Sequence, residues 1–227
     1  MKVNCFVFVL VLVLWPLAGH AQWRLGATGG YGYNDYSIDT HYMIDYRYTG
    51  VWGKTLGVMG QYDVNDWLGV RAELNMTEKN HRLRRSRDQR TMDYKVYNSY
   101  LQLPLMASLG FGGRRVRGFC NVGVYGGYWL YSRMRGFDVN VFSGRTYFFK
   151  QRIDFNDERD QRWDFGLAGG LGVEWRFARH WGAQVEGRCY YSTTSTQKDY
   201  QRINDPRYNT FIGVQAAVCY FFGKGKK

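Results

Sequence analysis

The sequence predicts an all-β chain, an eight-stranded antiparallel up-and-down barrel that crosses a membrane. Three observations lead there. The first is the stretch Trp163–Phe177, which alternates without a break. Trp163, Phe165, Leu167, Gly169, Leu171, Val173, Trp175 and Phe177 form one set, and Asp164, Gly166, Ala168, Gly170, Gly172, Glu174 and Arg176 the other. A period of two means a strand with two unlike faces, one bulky and apolar, one small or charged. Its length exceeds the ~5–6 residues of an ordinary strand and covers the ~9–11 that a tilted strand needs to cross a bilayer. The second observation is that seven other segments share the pattern. The third is that the connections alternate long and short, beginning with a long one, as in bacterial barrels with long extracellular loops and short periplasmic turns.

In order, the first strand is Gln22–Asn34, with Trp23, Leu25 and Ala27 outward and Arg24, Gly26 and Thr28 inward. A long connection, Asp35–Lys54, leads to Thr55–Val64, which presents Leu56, Val58 and Tyr62. The tight turn Asn65-Asp66 reverses the chain into a third strand with Leu68, Val70, Leu74 and Met76 outward and Arg71, Glu73, Asn75 and Thr77 inward. Lys79–Arg90 reads as a basic loop. The fourth strand is Tyr94–Gly110, where Pro104 on the inner face cannot donate to a ladder and predicts a bulge. A glycine-rich turn, Gly110–Arg117, precedes the fifth strand, Gly118–Tyr131, and Ser132–Arg162 is the longest loop. The sixth strand, Trp163–Phe177, turns through Ala178-Arg179-His180 into the seventh, Trp181–Tyr191, with Glu186 and Arg188 inward. Thr193–Arg207 connects to the eighth, Tyr208–Phe222.

Composition agrees with a membrane barrel. Of 227 residues 18% are aromatic and 28 are glycine. The mean hydropathy of −0.46 does not argue for a soluble protein, since half of every spanning strand is polar. A soluble eight-stranded barrel would put the apolar face inside. Glycines on the small face, aromatics at strand ends and a last strand ending on Phe222 favour lipid outside. Residues 1–21 read as a cleaved secretory signal, with Lys2 at its start, the apolar run Cys5–Trp15 and small residues Gly19 and Ala21 before the cut. Residues 22–222 then form the barrel and 223–227 a basic periplasmic tail. Export without a helical anchor points to the outer membrane of a Gram-negative bacterium. The formal charge of +12 becomes 12 − 1 = +11 without Lys2, and cysteines fall from 4 to Cys120, Cys189 and Cys219, an odd count that excludes a fully paired disulfide framework.

The segments Tyr100–Met106 (YLQLPLM), Asp164–Trp175 (DFGLAGGLGVEW), Asp66–Met76 (DWLGVRAELNM) and the ending Tyr220–Phe222 (YFF) resemble the PorT-like outer-membrane barrel family of the Bacteroidetes. The resemblance spans essentially the whole mature chain and implies an outer-membrane barrel. One branch of that family serves protein secretion and gliding. The family usually has an acidic residue where this chain has Gln102.

Eight strands enclose a lumen just wide enough for side chains to fill. The inward charges Arg24, Arg71, Glu73, Asp164, Glu174, Arg176, Glu186 and Arg188 are too costly to bury unpaired. They read either as a salt-bridge network that plugs the barrel or as the lining of a narrow ion path. A wide porin channel is excluded, since it takes about 16 strands. In the basic loop, Lys79, Arg82, Arg84, Arg85, Arg87 and Arg90 face Asp88 alone. They read either as an anion-binding surface for lipopolysaccharide phosphates or as a solvated loop. No phosphate loop, nucleotide fingerprint or metal-spaced cluster occurs, so no cofactor, metal or nucleic acid is expected. His41 near Ser37 and His81 near Ser86 lie in loops, and His180 in a turn, which does not amount to a catalytic arrangement. The chain reads as a structural or interaction barrel working through its loops on outer-membrane lipid or a surface partner, with a narrow pore or a transport- or secretion-associated component as the first alternative and a lipid-modifying barrel enzyme as the second.

Overall fold

The computed structural model describes residues 22–38, 46–87, 90–113, 115–140, 142–198 and 207–222. The expected leader and basic tail lie outside them. Ten strands are described: β1 Gln22–Ile38, β2 Tyr46–Asp63, β3 Leu68–Glu78, β4 Asn80–Arg87, β5 Arg90–Gly112, β6 Val116–Val139, β7 Thr146–Ile153, β8 Trp163–Arg176, β9 Trp181–Ser192 and β10 Arg207–Phe222. Eight of them close a ring in the order β1-β2-β3-β5-β6-β8-β9-β10, with β10 back on β1 and every pair antiparallel. This is the barrel the alternation predicts.

The outer surface of the ring is apolar. Leu56, Val58, Leu103, Leu105, Val122, Val124, Leu167, Leu171, Val214 and Val218 are all exposed. Aromatic rings collect at both ends of this band. Near the short turns Trp23 packs on Tyr62 at 4.9 Å and Trp181 on Tyr220 at 5.2 Å; near the long connections Tyr31 stacks on Trp52 at 5.2 Å and Tyr128 meets Trp163 at 5.0 Å. Such girdles mark the two interfaces of a bilayer.

Beyond the girdle at the long-connection end the strands continue, where the sequence reading placed loops. β1 reaches Ile38 and β2 starts at Tyr46, so the expected Asp35–Lys54 connection is shorter; residues 39–45 lie outside the description. The basic stretch is mostly β4, which lies between β2 and β5, and much of the Ser132–Arg162 loop is a hairpin of β6 with β7. The reason is that the pattern inverts. Once past the lipid, the outer face can be charged and the inner face apolar: Leu83 and Val96 are buried, whereas Arg84 and Lys95 are exposed. A basic run looks like a loop only if the outer face is assumed to be apolar throughout.

Two irregularities set the register. Pro104 pairs regularly with Tyr125, so the expected bulge is not there; it falls at Ser99/Tyr100 against β6 instead. On the β3 side the pairing simply skips from Ala72↔Leu105 to Asn75↔Gln102 at constant register, which leaves Pro104 no donor to supply. The second irregularity is an extra residue in β2, between Thr55↔Thr77 and Val51↔Asn80. Gly53 sits in it, where a Cβ would strike the Glu78 carbonyl. Opposite lies Lys79, whose amide donates to the Asn98 carbonyl at 2.8 Å.

Candidate functional site

The lumen is built by the inward residues of all eight ring strands, and its charges form three layers. Near the short turns, Arg24 on β1 donates through Nε to Asp63 at 2.6 Å and forms an ion pair with Glu174. Glu174 also accepts from Arg176 at 2.8 Å and from Gln184 at 2.8 Å. Arg24 and Glu174 are buried, and Arg176, at the rim, is half-buried.

The middle layer is denser. Glu73 accepts from Arg71 at 2.5 Å, Asn75 at 2.7 Å and Arg188 at 2.9 Å. Arg188 also donates to Glu186 at 2.7 Å and to the Tyr190 hydroxyl at 3.0 Å. Arg71 reaches Glu186 at 3.6 Å and the Gln184 carbonyl at 3.0 Å, and Asn121 donates to Glu186 at 2.9 Å.

The third layer was not foreseen as such. Lys79, read from sequence as an anion-binding loop residue, is fully buried in the lumen and pairs with Asp164 at 2.6 Å. That corrects the loop assignment: Lys79 continues the inward series Arg71, Glu73, Asn75, Thr77, and its ammonium has a carboxylate partner inside. Its Nζ lies 4.9 Å from the Tyr125 ring centroid and donates to that hydroxyl at 3.3 Å. Ser192 and Tyr125 donate to Asp164 at 2.5 and 3.2 Å. Asp63 was likewise missed, although its inward parity in β2 was visible. Gln102, between the middle and third layers, is fully buried with neither amide atom bonded. The ion-paired lumen groups are Asp63, Glu73, Asp164, Glu174 and Glu186 against Arg24, Arg71, Lys79, Arg176 and Arg188, five of each sign; Arg117, half-buried at the short-turn rim, donates to the Asp66 carbonyl at 2.7 Å.

The other residues of the basic stretch lie beyond the girdle. Arg82 forks onto Asp93, with Nε donating at 2.7 Å, and Arg84 reaches the same carboxylate at 3.5 Å. The hydrogen bonds from Arg82 hold the Asp93 carboxyl below its usual range and push the Arg82 guanidinium up. Arg85 pairs with Met92 and Arg87 with Arg90 in the backbone register of the β4–β5 hairpin; Asp88 lies outside the described residues. Inside this extension His81 stacks on Tyr36 at 4.1 Å. Burial, then the positive Arg207, pushes its imidazole down to about 3.

His41 lies outside the described residues, His81 is within 3.4 Å of Asn98, and the His180 ring is 3.1 Å from the Phe221 carbonyl. Cys120, Cys189 and Cys219 are free thiols. Among the described residues no group of His, Cys, Asp or Glu is arranged to hold a metal ion.

A model of a family described as "Outer membrane protein beta-barrel domain" matches residues 19–198. Among solved structures, the chain is similar to the outer membrane protein OprG from Pseudomonas aeruginosa, with 17% identity and a TM-score of 0.45 over 89% of this chain and 95% of that one. It is similar to Neisserial surface protein A, with 12% identity and a TM-score of 0.42 over 87% and 97%. Ail of Yersinia pestis, solved with the heparin analogue sucrose octasulfate, is similar at 15% identity and a TM-score of 0.39 over 88% and 99%. No curated protein sequence matches.

Proposed function

The chain belongs to the outer membrane protein β-barrel domain family and is an integral outer-membrane β-barrel, and from that premise we propose that it is a closed membrane anchor that displays a β-sheet to the outside of the cell. The short turns then face the periplasm, and β4, β7 and the upper parts of β2, β5 and β6 form the extracellular part. The role is structural and interactive rather than enzymatic, and the surface it offers acts on outer-membrane lipid or a partner at the cell surface.

The observation that carries this reading is the layered ion-pair network of the lumen. A buried charge left unmatched is expensive, and here each buried charged lumen group meets an opposite charge inside the barrel. The competing reading, a narrow ion path, needs charges that face water rather than one another. The PorT-like family remains our assignment on the Tyr100–Met106 and Asp164–Trp175 segments, and nothing in them places the chain in its secretion branch.

Protease treatment of intact cells tests the display. Cleavage is expected in the β6–β7 turn, at Arg145, while the turn at Asn65-Asp66 stays protected and the barrel fragment remains in the membrane. Cleavage at Asn65-Asp66 with protection of the β6–β7 turn would invert the topology and end the proposal.

A further inference from the structure

The outer face of the extracellular sheet carries a charge pattern that its own fold does not explain. In the pairing register, Arg82 faces Lys95, Lys95 faces Arg135 and Arg135 faces Lys150, which puts four cations in one row across β4, β5, β6 and β7. One step nearer the girdle, Arg133 faces Arg152. Like charges placed directly opposite on a sheet repel. Among the described residues Asp93 is the sole carboxylate at a register position on this face, and Arg82 and Arg84 take it. Arg133, Arg135, Lys150 and Arg152 are exposed and make no ion pair among the described residues. Arg133 instead lies over the Tyr131 ring at 5.2 Å.

The position of the two rows says what meets them. The face continues the lipid-facing rows of β5 and β6, which carry Leu101, Leu103, Val122 and Val124. Arg133 is two residues and Arg135 four residues beyond Tyr131. At ~3.4 Å per residue and a tilt of ~40°, the rows stand about 5 and 10 Å above that ring. The polar layer of each leaflet is roughly 5–8 Å deep. The rows therefore straddle the headgroup level, where a phosphate would relieve their repulsion and accept paired guanidinium hydrogen bonds.

We propose that this cationic face binds the phosphate groups of the outer-leaflet glycolipid, lipopolysaccharide, as a fixed part of the barrel's lipid annulus. The proposal rests on the extracellular orientation argued above. It gives the surface partner a chemical identity, and it moves the site from the single basic stretch to β4–β7.

The test uses the whole barrel folded in nanodiscs that contain bis-phosphorylated lipid A, with dephosphorylated lipid A as the second arm and a soluble sulfated polysaccharide as the third. The variant is Arg133→Gln/Arg135→Gln/Lys150→Gln/Arg152→Gln. The control is Arg115→Gln/Arg179→Gln in the periplasmic turns. Lipid retention on exchange into lipid-free detergent is read by native mass spectrometry. Wild type and control are expected to retain phosphorylated lipid A, the dephosphorylated form is expected to be lost, and the quadruple variant is expected to bind roughly 1000-fold more weakly. In lipid-free detergent that variant is expected to unfold no earlier than wild type, because it has lost a repulsion. Equal retention of the two lipids, full retention by the quadruple variant, or preference for the soluble polysaccharide would overturn the proposal. None of these results bears on protease sidedness, so a failure here is distinct from a failure of the anchor reading.

Discussion

Breaking the Lys79–Asp164 pair gives the sharpest account of the lumen. Asp164→Asn keeps the shape and one carbonyl acceptor for Ser192 and Tyr125, but leaves the fully buried Lys79 ammonium with only the Tyr125 hydroxyl and the faces of Tyr100 and Tyr125. Removing one partner of a buried pair costs about 3–5 kcal/mol, whereas an apolar replacement of both is close to neutral. Asp164→Asn and Lys79→Met are each expected to lose about 3–5 kcal/mol, and Lys79→Met/Asp164→Leu to return within about 1 kcal/mol of wild type. Reversible urea unfolding in lipid vesicles, followed by tryptophan fluorescence, measures the cycle. Single losses below about 1 kcal/mol, the range of solvated pairs, would mean that water screens this pair, and the filled-lumen reasoning would be wrong.

Three further outcomes are expected. Leu171, 66% exposed on the lipid face, should cost about 2–4 kcal/mol as Leu171→Arg in the same unfolding assay. Gly170→Ala should destabilise although it adds one methyl, because a Cβ there would strike a Glu186 carboxylate oxygen and lie 2.8 Å from the Gly187 carbonyl; an unchanged midpoint would place Gly170 outside the lumen. His81 is held down to about 3 from an ordinary 6.5, so the unfolded chain binds the extra proton between those values. Stability is full above the ordinary value and falls as pH drops below it, by about 2 kcal/mol between pH 6.5 and 4.5. His81→Gln should flatten that limb in a pH series of unfolding midpoints, leaving the later loss from carboxylates such as Asp93, which the Arg82 hydrogen bonds hold below their usual range when folded.

The barrel was legible because lipid imposes one rule on every spanning strand, and Trp163–Phe177 obeys it residue by residue. The extracellular extension was not, because beyond the girdle the same period runs with its polarity reversed, and Arg82-Leu83-Arg84 then looks like a loop. The lumen charges could be listed from parity alone, but their partners could not. Glu174 pairs with Arg24 because closure of the ring brings β1 within reach of β8, and with Arg176 two residues along its own strand. Lys79 was missed because the basic run reads as a loop, although the parity of Arg71, Glu73, Asn75 and Thr77 carries it inward. The cationic face, too, depends on pairings between β5, β6 and β7 that no local pattern contains.

Closure of the lumen is the central claim, and planar-bilayer recording of the purified barrel addresses it most directly. A barrel filled by three ion-paired layers is expected to give no current above that of the bare bilayer, at low and at high salt. Stable ohmic channels in the wild-type protein would contradict it and restore the narrow ion path as the function of these charges.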